Sequence, residues 1–225
     1  MTRKIVIDIE TLPCADQQQI DYLIESVTAD SRLKDPEKIA ADIAQKRADV
    51  VAKTGLDGGF GRILMASVGV IGSDDIITFA SPEVDERYVL RGLLEEIYRI
   101  VHENTSTPFP PIFIGHNVLW DLRFIAQRCA INGFTINKRT IPFDEKPWSD
   151  RVVDTMQVWA GTGNRITLDR LCHALGVKSP KGEMDGSQVA QYFSDGRIGE
   201  IIAYNRDDVR ATRECYEIMH KAGMV

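Results

Sequence analysis

Residues 4–13 read KIVIDIETLP, and the fold turns on how this stretch is taken. Ile5, Val6, Ile7 and Ile9 form the β-branched run of a buried strand, yet Asp8 and Glu10 are set into it. Side chains alternate faces along a strand, so residues two apart emerge on one side, roughly 6–7 Å from each other. Two negative charges would then share one patch of a sheet. They are either the polar face of an edge strand or half of a metal site, and the choice depends on what the rest of the chain brings to that patch.

The chain has 225 residues, 44% of them hydrophobic and 27% charged, the balance of a globular protein able to bury a sizeable core. It is read as a single domain over 1–225 with a helical insertion at about 14–62. No run of 18 or more apolar residues occurs, and MTRKIVIDIE places charge where a signal peptide needs apolar residues. The expectation is a cytoplasmic protein with no membrane partner. Cys14, Cys129, Cys172 and Cys215 form no C-x-x-C pair, which argues for packed free thiols. With a net charge of −6, a broad electropositive surface for duplex nucleic acid is not expected. Any nucleic acid must be held locally or through metal ions.

Working outward, PEKIAADIAQKRADVVAK after Asp35 predicts a helix with a thin apolar stripe, inside the 14–62 stretch. RILMASVGVIG (62–72) and DIITFA (75–80) predict a β-hairpin, and 83–103 an amphipathic helix. The Pro-rich STPFPP (106–111) leads into a short strand, IFIG, followed by a helix from about Leu119 to Asn132. RVVDTMQVWA reads as strand into helix with Asp154 as the cap between them. TLDRLCHALGV is a short helix ended by Gly176, and a long helix closes the chain, with Ile198, Ile202, Val209, Thr212, Tyr216 and Met219 along its stripe. This order is that of an α/β protein opening with a meander.

Two further segments supply acids. GHNVLWDLRFI sets Asp121 just inside the helix after IFIG, where ligand sites of open α/β sheets gather. YNRDDVRAT sets Tyr204 and Asp208 four apart on a helix, hence on one face. Four carboxylates brought together repel unless a divalent cation neutralises them, and all-oxygen ligation favours magnesium or manganese over zinc. Two such ions about 4 Å apart are the clamp of phosphoryl transfer, so the implied reaction is phosphodiester hydrolysis.

The ordered set Asp8-x-Glu10, Asn117-x-x-x-Asp121 and Tyr204-x-x-x-Asp208 resembles the three motifs of the DEDD superfamily of 3′–5′ exonucleases, in its tyrosine-bearing branch. It is most similar to the proofreading exonuclease domain of family B DNA polymerases and to stand-alone predicted exonucleases related to it. The likeness spans residues 4 to about 219. A second D-x-E, Asp35-Pro36-Glu37, is set aside because its proline excludes a central strand. The histidine branch would need His where Ala203 stands, and Asp207 lacks a tyrosine four residues upstream.

The resemblance implies a ribonuclease H-like α/β fold, a five-stranded mixed sheet flanked by helices, and dependence on two divalent cations, Mg2+ or Mn2+. It makes Asp8 the ligand shared by both ions, joined by Glu10 and Asp208 on the nucleophile side, with Asp121 on the second ion and Tyr204 positioning the attacking water. It also implies that Thr11 and Leu12 meet the terminal nucleotide, although Leu12 equally fits strand-end packing. Asn117 either touches the substrate or caps the helix that follows it. The expected partner is a 3′ end of single-stranded DNA or RNA, DNA favoured. An oligoribonucleotide exonuclease is the alternative of like chemistry, and a non-catalytic nucleic-acid-binding module the alternative of another class. A polymerase partner and the oligomeric state are left unassigned. Trp120 is read as packing and Asp154 as a cap. The four histidines are read as structural or surface residues. Lys178, Lys181, Arg206 and Arg210 are candidates for the nucleic-acid backbone.

Overall fold

The computed structural model describes residues 2–103, 109–146, 148–180, 182 and 184–225. The opening stretch forms β1 (Lys4–Leu12), which pairs antiparallel with β2 (Arg62–Val70), itself paired antiparallel with β3 (Ile76–Ala80). On its other side β1 runs parallel to β4 (Ile112–Gly115), and β4 parallel to β5 (Val152–Asp154). The sheet order is β3-β2-β1-β4-β5, so the strand bearing Asp8 and Glu10 is central, and an edge-strand explanation for them fails.

Alternation along β1 divides its residues between two layers. Ile5, Ile7 and Ile9 point into the larger core, with Val89, Leu93 and Ile97 of α3 (Glu86–His102) and Leu122 and Ile125 of α4 (Val118–Ile131). On the other face Val6 packs with Val209 and Tyr216 of the long final helix, Ile198–Lys221. Leu12 joins Leu64, Met65 and Ile201 there. Pairing shifts register between Glu10 and Thr11, from Met65 to Ile63, and the extra residue is Leu64. This bulge lets the neighbours Leu64 and Met65 enter one cluster beneath the carboxylates.

The 14–62 stretch contains two helices, α1 (Gln17–Ile24) and α2 (Pro36–Lys53), capped by Asp16 and Asp35. The capping bond from Glu37 N to Asp35, at 2.9 Å, is the structural use of the second D-x-E. No residue of either helix is buried. The pair joins the sheet at a narrow root. Cys14 N donates to Thr54 Oγ1 at 2.7 Å and Thr11 Oγ1 to the Gly55 carbonyl at 2.6 Å.

A buried ion pair sits behind the strand end. Glu86 accepts Arg128 Nε and Nη2, both at 2.8 Å, and also takes the Ile63 amide and the Asn132 side chain. The remaining helices are α5 (Thr155–Ala160), α6 (Leu168–Leu175), α7 (Val189–Ser194) and α8, the final helix already described. The sequence reading does not separate α1 or α7 as elements. α1 buries no residue, and α7 buries only Val189 and Tyr192, so neither shows an apolar period. Part of the Pro-rich stretch, and Lys181, lie outside the described residues.

Candidate active site

β1 carries Asp8 and Glu10 on the face that α8 crosses. The buried stripe of α8 runs Ile201, Asn205, Asp208, Thr212, Tyr216 and Met219, so helical spacing that serves packing at its ends aims polar groups at the sheet near Asp8. One oxygen each from Asp8, Glu10 and Asp208 lies within 4.8 Å of the other two. Tyr204 stands half-buried one turn before Asp208, on the same helix face, with its hydroxyl near enough to that carboxylate to favour its ionised form.

Asp121 arrives from the first turn of α4. Pairing between β1 and β4 ends at Val6 and Ile114, and the Ile9 amide beyond it is taken by Asp121 Oδ1 at 3.3 Å. The approach depends on Gly115, where a Cβ would stand 2.6 Å from that of Val118. Asn117 then turns the chain into the helix at φ 70°, a left-handed conformation that asparagine tolerates. Its side chain makes no capping bond and is exposed. Asp154 holds this turn instead, its Oδ1 accepting from Asn117 N at 2.9 Å and Met156 N at 3.0 Å.

The charges in this cluster are under strain. Burial, then the charges of Asp208, Asp121 and Glu10, push the Asp8 carboxyl well above its usual range. Glu10 rises for the same reasons, and Asp121 chiefly through burial. Asp208 is pushed up to about 7 by burial, against the opposing hydrogen bond from Tyr204. Tyr204 is itself raised by burial and the surrounding carboxylates, and its phenol therefore keeps its proton. Arg210, on the same helix, is committed elsewhere, pairing with Asp207 at 3.2 Å and with Glu214 at 2.9 Å. Closely spaced, buried carboxylate oxygens held against their own repulsion form a donor set that fits a hard divalent cation.

Thr11 and Leu12 close the strand beside the cluster. The Thr11 hydroxyl is engaged with Gly55, and Leu12 is 2% exposed, packed among Leu64, Met65 and Ile201. Trp120 packs on Phe124 and donates to the Leu56 carbonyl at 3.3 Å. His116 is held between Thr155 Oγ1 at 3.0 Å and the Ile166 carbonyl at 2.8 Å, a structural position.

Sequence reasoning missed Asn205. It is completely buried, and its Nδ2 donates to Asp8 Oδ2 at 2.6 Å. The available signal was its place on the apolar period of α8, four residues after Ile201, where an amide has no packing reason to be.

A mixed five-stranded sheet with helices on both faces and acids gathered where β1, α4 and α8 meet defines a nuclease of the ribonuclease H-like class. Residues 76–222 match a family described as predicted 3′–5′ exonucleases related to the exonuclease domain of PolB, and the chain belongs to that family. The matched segment includes Asn117, Asp121, Tyr204 and Asp208, while β1 precedes it. No curated protein matches the chain. No helix among the described residues is long and apolar enough to cross a membrane.

Proposed function

We propose that the protein is a metal-dependent exonuclease that removes nucleoside 5′-monophosphates from the 3′ end of single-stranded or frayed nucleic acid, with DNA favoured over RNA, and that residues 1–225 act as one exonuclease domain. The observation that carries the reading is the approach of the Asp8, Glu10 and Asp208 oxygens to within 4.8 Å, with no salt bridge to any of the three among the described residues. Asp8, Glu10, Asp121 and Asp208 would hold two divalent cations, magnesium or manganese. When bound, these supply Lewis-acid polarisation of the scissile phosphate and neutralise charge that develops on it.

The chain's own groups orient the reaction. The Tyr204 phenol keeps its proton beside the carboxylates, so its hydroxyl positions a water by hydrogen bonding without taking its proton. Water oxygen bonds to the terminal phosphorus, the bond from phosphorus to the 3′ oxygen breaks, and a proton from the water ends on the departing oxygen. Asn117, which is exposed, and the Thr11 backbone are proposed contacts for the terminal nucleotide. Leu12, being buried, would act by stiffening the strand end beneath it.

The test is digestion of a 5′-labelled single strand and of a covalently closed circle, with magnesium, manganese or chelator. A descending ladder from the linear strand in metal alone, with the circle intact, is expected. Asp8→Ala should abolish it and Glu37→Ala should not. Cleavage of the circle, or activity in chelator, would overturn the reading.

A further inference from the structure

Asn205 has a geometry that packing does not explain. Its side chain is completely buried, its amide nitrogen donates to Asp8 Oδ2 at 2.6 Å, and its own Oδ1 has no hydrogen-bond partner among the described residues. A buried carbonyl left unsatisfied loses its hydration with nothing in return, so an amide present for stability alone would be paired at both ends. The orientation is nevertheless determined. Turning the amide over would put Oδ1 against the Asp8 carboxylate, oxygen facing oxygen. When ionised, Asp8 therefore selects the observed rotamer, and the rotamer in turn fixes which oxygen of Asp8 is already engaged. The hydrogen bond from Asn205 also favours the ionised form of Asp8, opposing the burial that disfavours it.

We propose that Asn205 is a positioning residue for the cation site: through its Nδ2 bond it locks the Asp8 carboxylate in the orientation that receives a divalent cation. This rests on the metal reading of the cluster. Hydrogen-bonded partners behind metal ligands commonly govern affinity by orienting the ligand, and their loss weakens binding by about 10- to 100-fold. The unpartnered Oδ1 is what remains when an amide is held by one end for that purpose.

The experiment titrates Mn2+ by calorimetry into the intact chain, its Asn205→Ala and Asn205→Leu variants, and Asp8→Ala, with melting curves of each in chelator. Alanine suits the helix interior, and leucine refills the space while deleting the unsatisfied oxygen. Expected are Mn2+ dissociation constants raised about 10- to 100-fold in both Asn205 variants, with chelator melting temperatures close to the parent's. A folded Asn205 variant that keeps the parent's Mn2+ affinity would overturn the proposal. So would loss of folding in chelator by both variants, which would make Asn205 a packing residue. If the parent binds no Mn2+, or Asp8→Ala binds it equally well, the metal reading itself fails.

Discussion

Tyr204 differs from the acids around it because only its hydroxyl is polar, so one atom can be removed with the ring left in place. The ring packs beside Ile201 and Leu12, and the oxygen meets Asp208. In Tyr204→Phe the packing survives and, on the proposed mechanism, the water loses its guide. Turnover should fall about 10- to 1,000-fold, with the Mn2+ dissociation constant and melting temperature close to the parent's. Single-turnover digestion under saturating metal checks this, and an unchanged rate would return Tyr204 to the core as a packing residue. Single residues also show where sequence reading stops. Asp8, Glu10, Asp121 and Asp208 are legible because a carboxylate in a strand or at a helix start demands an explanation. Asn205 was not, because asparagine is ordinary on helix surfaces and only the fold turns it inward. Asp35 and Glu37 show the converse, a D-x-E whose chemistry is spent on capping α2.

The elements contribute unequally. β1, β2, β4 and α8 have long or strongly apolar periods, which sequence displays, and they carry the sheet. The α1–α2 pair displays only a thin stripe, because its helices bury no residue, and its root is closed by the bond from Cys14 N to Thr54 Oγ1 at 2.7 Å. Replacing residues 15–53 with a short Gly-Ser turn should shift the thermal midpoint by only a few degrees, as calorimetry would show. A collapse of folding would mean that the hairpin belongs to the core. Glu86→Ala should do the opposite. It leaves the Arg128 guanidinium buried without its counter-charge and the Ile63 amide unpaired, at a cost of about 3–5 kcal/mol in urea unfolding. A loss under about 1 kcal/mol would show that the pair relaxes to solvent. Nothing in the sequence pointed to this pair, since Glu86 and Arg128 lie on different helices and each fits an exposed helical position.

At the scale of the molecule, the site sets stability against function. Asp208 holds its proton up to about 7, far above the ordinary value of 3.8. A raised carboxyl stabilises the fold fully below its unfolded value, near 4, and that contribution is lost as pH rises through about 7. In chelator the protein should therefore melt at a lower temperature at about pH 8 than at about pH 6. Saturating Mn2+ should remove most of the difference, because the cation replaces the proton as the neutralising charge. Melting curves at both values, with and without Mn2+, check the sign, and equal midpoints in chelator would speak against a strained cluster.

The bond between Asn205 and Asp8 joins residues 197 apart. Synthesis runs towards the C-terminus, so Asp8 and Glu10 are made well before Asp208, which follows all five strands of the described sheet. A product of a broken message, halted anywhere before α8, carries the early acids and lacks the helix that completes their cluster. On the proposed function, a chain halted before α8 cannot assemble the site, so activity waits on that helix.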